Sequence, residues 1–289
     1  MLRTLVVFTL SAVSVFAANE KNYTYLALGD SLAFGYDPTV PVTPKLPSPF
    51  DYYGYPEVVA DAKNLLKSKK LVNASCPGET TLSFITAYAP DNGCYGTGPQ
   101  GQPSFRFNIG LRANYAGSQF QFAMQELASN KHINVVTLSL GGNELELLEA
   151  HCLATATSPA DFQGCVQGLL PAALTNIGNN LAYILLAFRQ QAHYDGQIVV
   201  VNYYVPNNFE LYFNVVATLN GVIANAAVPF GAKVADVFAA FQFASGLAGG
   251  DPCLAGLLVR LGPATCDIHP SAYGKQVMAS AVAVAIAKK

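Results

Sequence analysis

The sequence predicts a three-layer α/β domain built on a mostly parallel sheet, from three observations. Short β-rich runs alternate with helical patterns throughout the chain, the rhythm of strand–helix–strand units. Several of the runs are apolar on both faces, as strands buried in a parallel sheet are. The composition also fits: 289 residues, 52% hydrophobic and 12% charged, suffice for one large core and exclude disorder and coiled coil.

Taken in chain order, the elements follow from their patterns. Residues 24–28 form the first strand candidate, and 55–67 a helix with Val58, Val59, Ala62, Leu65 and Leu66 on one face. A strand at 71–74 is followed by a helix at 118–129, where Phe120, Ala123, Met124 and Leu127 recur at helical spacing. The third strand covers 133–140. The clearest helix is 169–191, in which Leu170, Leu174, Ile177, Leu181, Ile184, Leu185 and Phe188 share a face. Strands at 198–205 and 233–238 complete the set. The Val-Ala alternation of 271–289 also fits a strand, but Pro270 and the two terminal lysines favour a helix. Two irregular segments, 36–54 and 89–117, interrupt the alternation; loops this long are functional or flexible.

Residues 1–17 carry one charge, Arg3, and an apolar stretch from Leu5 to Phe16 ending in Val15-Phe16-Ala17. This is the pattern of a signal peptide cleaved after Ala17, and the stretch is shorter than the roughly 20 residues of a membrane anchor. No other stretch reads as long and apolar enough to span a bilayer. The expected organisation is therefore a signal peptide at 1–17 and a single secreted domain at 18–289, a monomer without a stable membrane span. Charge excludes a further class. Sixteen Lys and Arg face eighteen Asp and Glu, for a net charge of −2, and there is no basic run to bind nucleic acid.

Cysteine usage agrees with export. Six cysteines without a C-x-x-C pair read as disulfides rather than a metal site or redox dithiol. Of fifteen possible connectivities, the sequential pairs Cys76 with Cys94, Cys152 with Cys165 and Cys253 with Cys266 are favoured, because each closes a short loop between regular elements. Two Asn-x-Ser/Thr sequons occur, at Asn22 and Asn73.

Ligands of open parallel sheets bind beyond the carboxyl ends of the strands, so the residues there are the site candidates. The first strand runs into Gly29-Asp30-Ser31-Leu32, where a serine can act as a nucleophile or simply complete a turn. After the second strand, Gly78 in Cys76-Pro77-Gly78-Glu79-Thr80-Thr81 allows a backbone N–H to approach a ligand, or serves a turn. After the third, the Asn143 amide in Gly141-Gly142-Asn143-Glu144 either donates to a developing oxyanion or caps a helix. Among the histidines, His132, His151 and His193 have surface or helix-end contexts. His269 differs: it stands in Cys266-Asp267-Ile268-His269-Pro270, at the expected start of the last helix, with an orienting carboxylate two residues before it.

Ser31, Gly78, Asn143 and His269, in that order, resemble the four marks of the SGNH subgroup of GDSL hydrolases. The runs Gly29–Leu32 and Pro77–Thr81 look like those of its secreted bacterial lipases and esterases. The resemblance implies a flavodoxin-like, five-stranded sheet and a serine esterase or lipase that uses no cofactor or metal. It further implies an oxyanion hole from the Ser31 N–H, the Gly78 N–H and the Asn143 side chain. Two departures stand out. Glu144 replaces an aspartate in the third block, and the aspartate that precedes the histidine by three positions in the family is replaced by Cys266, leaving Asp267 two before His269. Some relatives orient the histidine with a backbone carbonyl instead.

The expected partner is a small-molecule or lipid ester. Polysaccharide deacetylation or acyl transfer would use the same residues, and a non-catalytic binding module would keep the fold without the activity. A nucleotide binder is disfavoured because Asp30 sets a carboxylate where phosphate would sit. An apolar acyl pocket is expected from the aromatic and proline-rich segment 36–55 together with the apolar run 254–261.

Overall fold

The computed structural model describes residues 24–41, 45–62, 70–98, 104–207, 210–263 and 265–287. Its middle layer is a five-stranded, wholly parallel sheet in the order β2-β1-β3-β4-β5. The strands are β1 (Thr24–Gly29), β2 (Lys70–Asn73), β3 (Ile133–Ser139), β4 (Gln197–Val201) and β5 (Lys233–Ala235). The helices are α1 (Ser31–Phe34), α2 (Tyr55–Asp61), α3 (Thr81–Ile85), α4 (Phe105–Asn108), α5 (Gln119–Ser129), α6 (Gly142–Thr155), α7 (Pro159–Leu186), α8 (Glu210–Ala227), α9 (Val237–Ser245) and α10 (Ala272–Ala287). A two-stranded antiparallel ribbon, β6 (Leu258–Arg260) and β7 (Cys266–Pro270), precedes α10.

The period of two along each strand divides the core into two halves. Leu26, Leu28, Val136, Leu138, Ile198 and Val200 face one side, against Phe84 of α3, Leu127 of α5, Ile177 and Leu181 of α7 and Ile223 of α8. Tyr25, Ala27, Val135, Val199 and Val201 face the other, against Tyr55 and Val59 of α2, Phe241 of α9 and Met278 and Val282 of α10. Strand order reverses direction between β1 and β3, so the crevice beyond Gly29 and Ser139 is the topological switch point. That crevice requires glycine at the end of β1. Gly29 has φ +132°, and a Cβ there would lie 2.3 Å from the Ser139 carbonyl oxygen.

Several expectations are corrected. The strands expected at 198–205 and 233–238 stop at Val201 and Ala235, because Asn202 turns its side-chain oxygen to the Val237 and Phe238 N–H groups while Asp236 caps α9. The helix expected at 169–191 begins at Pro159, where Ser158 caps it, and runs through Pro171; the last turn, Ala187–Gln191, is π-type. The helix expected at 55–67 ends at Asp61, followed by extended Ala62, and 63–67, with Leu65 and Leu66, lie outside the described residues. Helices α6, α8 and α9 are additional to the sequence reading: glycine and asparagine at 141–143, 214, 220, 221 and 225 dilute the pattern of α6 and α8, and the start of α9 falls in the strand expected at 233–238. His269 is in β7, not in a helix, because a residue before proline is driven to extended backbone.

Two helices do meet the length and apolarity of a bilayer span, 159–191 with mean hydropathy 1.3 and 212–230 with 1.4, contrary to the sequence reading. Each lays its buried stripe on the sheet, Leu174, Ile177 and Leu181 from one and Leu219 and Ile223 from the other, as core helices do. The cysteines are bonded as Cys76–Cys94, Cys152–Cys165 and Cys253–Cys266. Asn73, in one sequon, is buried and donates to the Ala33 carbonyl and Glu57 carboxylate, so the folded chain does not present it for glycosylation. Residues 1–17 and Asn22 lie outside the described residues.

Gly29→Ala is expected to destabilise the fold by about 3 kcal/mol or more, since both the positive φ and the close approach of β3 oppose a side chain. Urea denaturation of the two proteins measures it, and a change below about 1 kcal/mol would remove the constraint assigned to this turn.

Candidate active site

Each strand that borders the switch point delivers one part of the site. At the end of β1, Asp30 caps α1 by accepting the Leu32 N–H at 3.0 Å, which leaves Ser31 as the first residue of that helix. The Ser31 N–H therefore belongs to the set of helix N-terminal donors without an intrahelical acceptor. Asp30 is buried and also accepts from the Ser139 hydroxyl of β3 at 3.2 Å and the Tyr203 hydroxyl beyond β4 at 2.5 Å. Burial pushes its carboxyl up to about 6, against the pull of these hydrogen bonds.

The last ribbon brings His269 to this serine. His269 Nε2 lies 2.9 Å from Ser31 Oγ, and Nδ1 lies 2.5 Å from Asp267 Oδ1. The two-residue separation works because Asp267 forms an Asx-type turn: the same Oδ1 accepts the His269 backbone N–H at 2.9 Å. Burial tends to raise the Asp267 carboxyl, but the His269 ring, its charge and this N–H together hold it below the ordinary value. The ribbon is anchored on three sides. Tyr204 donates to the Ile268 carbonyl at 2.5 Å, Cys266 is tied to Cys253, and the Tyr36 ring meets the imidazole edge-on at 4.8 Å.

Asn143 stands on the opposite rim, and Gly78 is tied to it through Asn92. Gly78 has φ +82°, and a Cβ there would meet the Asn92 carbonyl at 2.3 Å. Asn143, in the first turn of α6, donates from Nδ2 to the Glu79 carbonyl at 2.9 Å, while its Oδ1 accepts from Asn92 Nδ2 at 3.0 Å. Asn92 also donates to Glu146 at 2.7 Å, so both of its amide protons are used to set the orientation of neighbouring groups. Glu144 lies behind this rim and accepts from the Thr81 N–H at 2.7 Å and the Thr81 hydroxyl at 2.5 Å, bracing α3 against α6. Ser31, Asn143 and His269 thus line one crevice, with Asp267 bonded to His269 and Gly78 linked to Asn143 through Asn92, while His132, His151 and His193 are exposed elsewhere.

The sequence reading missed the buried polar frame beneath the crevice. Gln119 accepts the Gly29 N–H at 2.6 Å and donates to the Gly29 carbonyl at 3.0 Å and to Glu79 at 2.9 Å. Glu79 also accepts from Ser83 at 2.7 Å. Burial pushes the Glu79 carboxyl up to about 8, outweighing the Ser83 and Gln119 hydrogen bonds. Glu79 lies in a run already notable for Gly78, but nothing in the pattern around Gln119 marks it as buried.

A cavity of about 250 Å³ opens at Ser31 and His269 and extends between α6, α7 and α8. The acyl pocket expected from 36–55 and 254–261 is corrected accordingly, since no described residue of those segments lines it. Those segments pack instead: Tyr36 lies on His269, Tyr55 is fully buried, and Leu257 and Leu258 join the core beside α10.

Fold and site together define a flavodoxin-like α/β architecture with serine, histidine and aspartate in line at the switch point. The profile of the GDSL-like lipase/acylhydrolase family matches residues 27–277, and the chain belongs to that family. No curated protein sequence matches the chain. Among solved structures, an extracellular lipase from Streptomyces rimosus aligns with TM-score 0.57 at 18% identity, covering 91% of this chain and 99% of that one. A phospholipase A1 from Streptomyces albidoflavus NA297 aligns with TM-score 0.56 at 18% identity, over 91% and 98% of the two chains. Axe2, an acetylxylan esterase from Geobacillus stearothermophilus, aligns with TM-score 0.52 at 14% identity, over 92% and 95%. These likenesses establish the shared fold.

The raised Glu79 carboxyl gives a pH signature. Below pH 4.5 it is protonated in both folded and unfolded chains; between there and about 8 the unfolded chain ionises first, so this group makes stability fall as pH rises. Glu79→Gln is expected to flatten the fall between pH 5 and 8.5, an effect on the order of a few kcal/mol by urea denaturation. Equal slopes in the two proteins would show that Glu79 is ionised in the fold.

Proposed function

We propose that the protein is a secreted serine hydrolase of carboxylic esters that works through an acyl-enzyme on Ser31. The observation that carries this reading is the continuous line from Asp267 Oδ1 through His269 to Ser31 Oγ, at 2.5 and 2.9 Å. Ser31 attacks the ester carbonyl, and His269 Nε2 takes its proton as general base. Asp267 holds the ring with Nδ1 protonated and stabilises the imidazolium that forms. The carbonyl oxygen gains negative charge as the tetrahedral intermediate forms, and the Ser31 N–H, the Gly78 N–H and Asn143 Nδ2 surround it. His269 then returns the proton to the leaving alcohol. Water, activated by the same histidine, releases the acid and restores Ser31.

Secretion is supported by the signal-peptide pattern of residues 1–17 and by three disulfides, which persist in oxidising compartments. Residues 18–289 would then be the mature single domain. No step of the proposed chemistry requires a cofactor or metal.

Ser31→Ala should abolish hydrolysis of nitrophenyl esters, by roughly 10⁴-fold or more in kcat, while leaving the thermal transition within a few degrees of the parent. A folded variant that retains turnover would move the nucleophile elsewhere. Asp267→Asn should lower kcat by at least about tenfold and up to about 10⁴-fold, because the tautomer becomes wrong. If Asp267→Asn stays within about twofold of the parent while His269→Ala is inactive, the site is a Ser–His dyad and Asp267 is not part of it.

A further inference from the structure

Resting on the ester-hydrolase reading, we propose that the trough between α6, α7 and α8 binds the hydrocarbon chain of a medium-length acyl group, of about eight to ten carbons. Size gives the chain length. The cavity measures about 250 Å³, and a dry apolar cavity of about 150 Å³ accommodates the six carbons of benzene, which scales to about ten carbons here.

The walls give the chemistry. Leu148 comes from α6, Phe162, Val166 and Leu170 from α7, and Val216 and Leu219 from α8. α6 and α7 fold back on each other through the turn at 156–158 and are clamped by Cys152–Cys165, which fixes the width of the trough. Its direction follows from neighbours at each end. Gly141, beside the reacting serine's crevice, faces Ile177 and Leu219, and the lining then steps outward from Asn143 to Glu149 along α6. Asn143 and Glu149 are six positions apart, about 9 Å along the helix axis.

Three carboxyl groups interrupt the apolar lining, but each is already hydrogen-bonded: Asp30, at the serine end, accepts from Leu32, Ser139 and Tyr203. Glu146 accepts from Asn92, and burial pushes it up to about 7; Glu149 accepts from the Tyr212 hydroxyl. They therefore do not call for a cationic ligand. The acyl side of the ester is assigned to the trough rather than the alcohol side by the proton path. His269 must reach the leaving oxygen, so the alcohol lies toward β7, while the trough leads away from Ser31 along α6. Acetyl groups would leave the trough unfilled. Each further methylene that enters it is worth about three- to fourfold in kcat/KM.

The test is a series of nitrophenyl esters from acetate to palmitate with the parent protein, Val166→Trp and Leu148→Trp, each first shown to be folded by its thermal transition. In the parent, kcat/KM should rise from acetate to a maximum at octanoate or decanoate and decline beyond it. Either tryptophan should lower the octanoate-to-acetate ratio by at least about thirtyfold. Octyl acetate should be a poorer substrate than ethyl octanoate. Alkylboronic acids provide a readout on the parent protein alone, with inhibition tightening from ethyl to octyl, should neither variant fold. A parent that prefers acetate, a ratio unmoved by both folded variants, or alkylboronic acids of equal potency would overturn the proposal. A preference for octyl acetate would transfer the trough to the alcohol and also overturn it. Absence of turnover on every ester, acetate included, would instead show that the hydrolase reading itself fails.

Discussion

Asp30 is a buried carboxyl with three donors, and the geometry of the crevice depends on it. Its partners come from the α1 N-terminus, from Ser139 at the end of β3 and from Tyr203 beyond β4. One side chain therefore fixes the relative positions of three strand ends, and Ser31 follows it directly in the chain. Moving a carboxyl out of water is costly, and the three hydrogen bonds offset part of that cost, so each donor counts. The arrangement acts as a shared constraint: if β3 or the segment after β4 shifted, Asp30 would lose a donor while still buried. Gly29 permits this close approach because it has no side chain to separate β1 from β3.

A second polar layer extends the same constraint to the opposite rim. Gln119 bonds both backbone groups of Gly29 and reaches Glu79, whose carbonyl in turn receives the Asn143 amide. The proposed nucleophile and the proposed oxyanion donors are thus connected through a buried hydrogen-bonded chain rather than through mobile surface loops. Preorganisation of this kind matters for catalysis because donors aimed beforehand at the developing charge need no reorganisation during the reaction. The histidine arrives from the far end of the chain, 238 residues after Ser31. It is held by an antiparallel ribbon, a disulfide, and a tyrosine on the carbonyl of the intervening residue.

The sheet was legible in the sequence, and four candidate site positions could be named from it, because the signals are local: strands apolar on both faces, and short blocks at the strand ends. The ends of elements were less legible where a side chain overrides propensity. Asn202 and Asp236 end β4 and start α9 by capturing backbone N–H groups, and no hydrophobic period registers that. Gly164 and Gly168 dilute the pattern ahead of Leu169 and concealed ten residues of α7, although Ser158 and Pro159 form a regular start signal. The geometry of Asp267 was open from spacing alone; the Asx-type turn that makes a two-residue separation work is a property of the folded ribbon. The pocket was misplaced because aromatic and proline content describes what a loop packs with, not where the space lies. That space is set by how three helices diverge from the sheet, which only their packing determines.

The account stands on Ser31 being activated by His269, and active-site labelling measures that most directly. A fluorophosphonate reacts with a serine only when its hydroxyl is activated. Treatment of the disulfide-bonded protein should give one adduct per chain by intact mass, mapped by peptide sequencing to Ser31, with esterase activity lost in proportion and labelling slowed by orders of magnitude in His269→Ala. An unlabelled protein that hydrolyses esters, or an adduct on any other residue, would contradict the account.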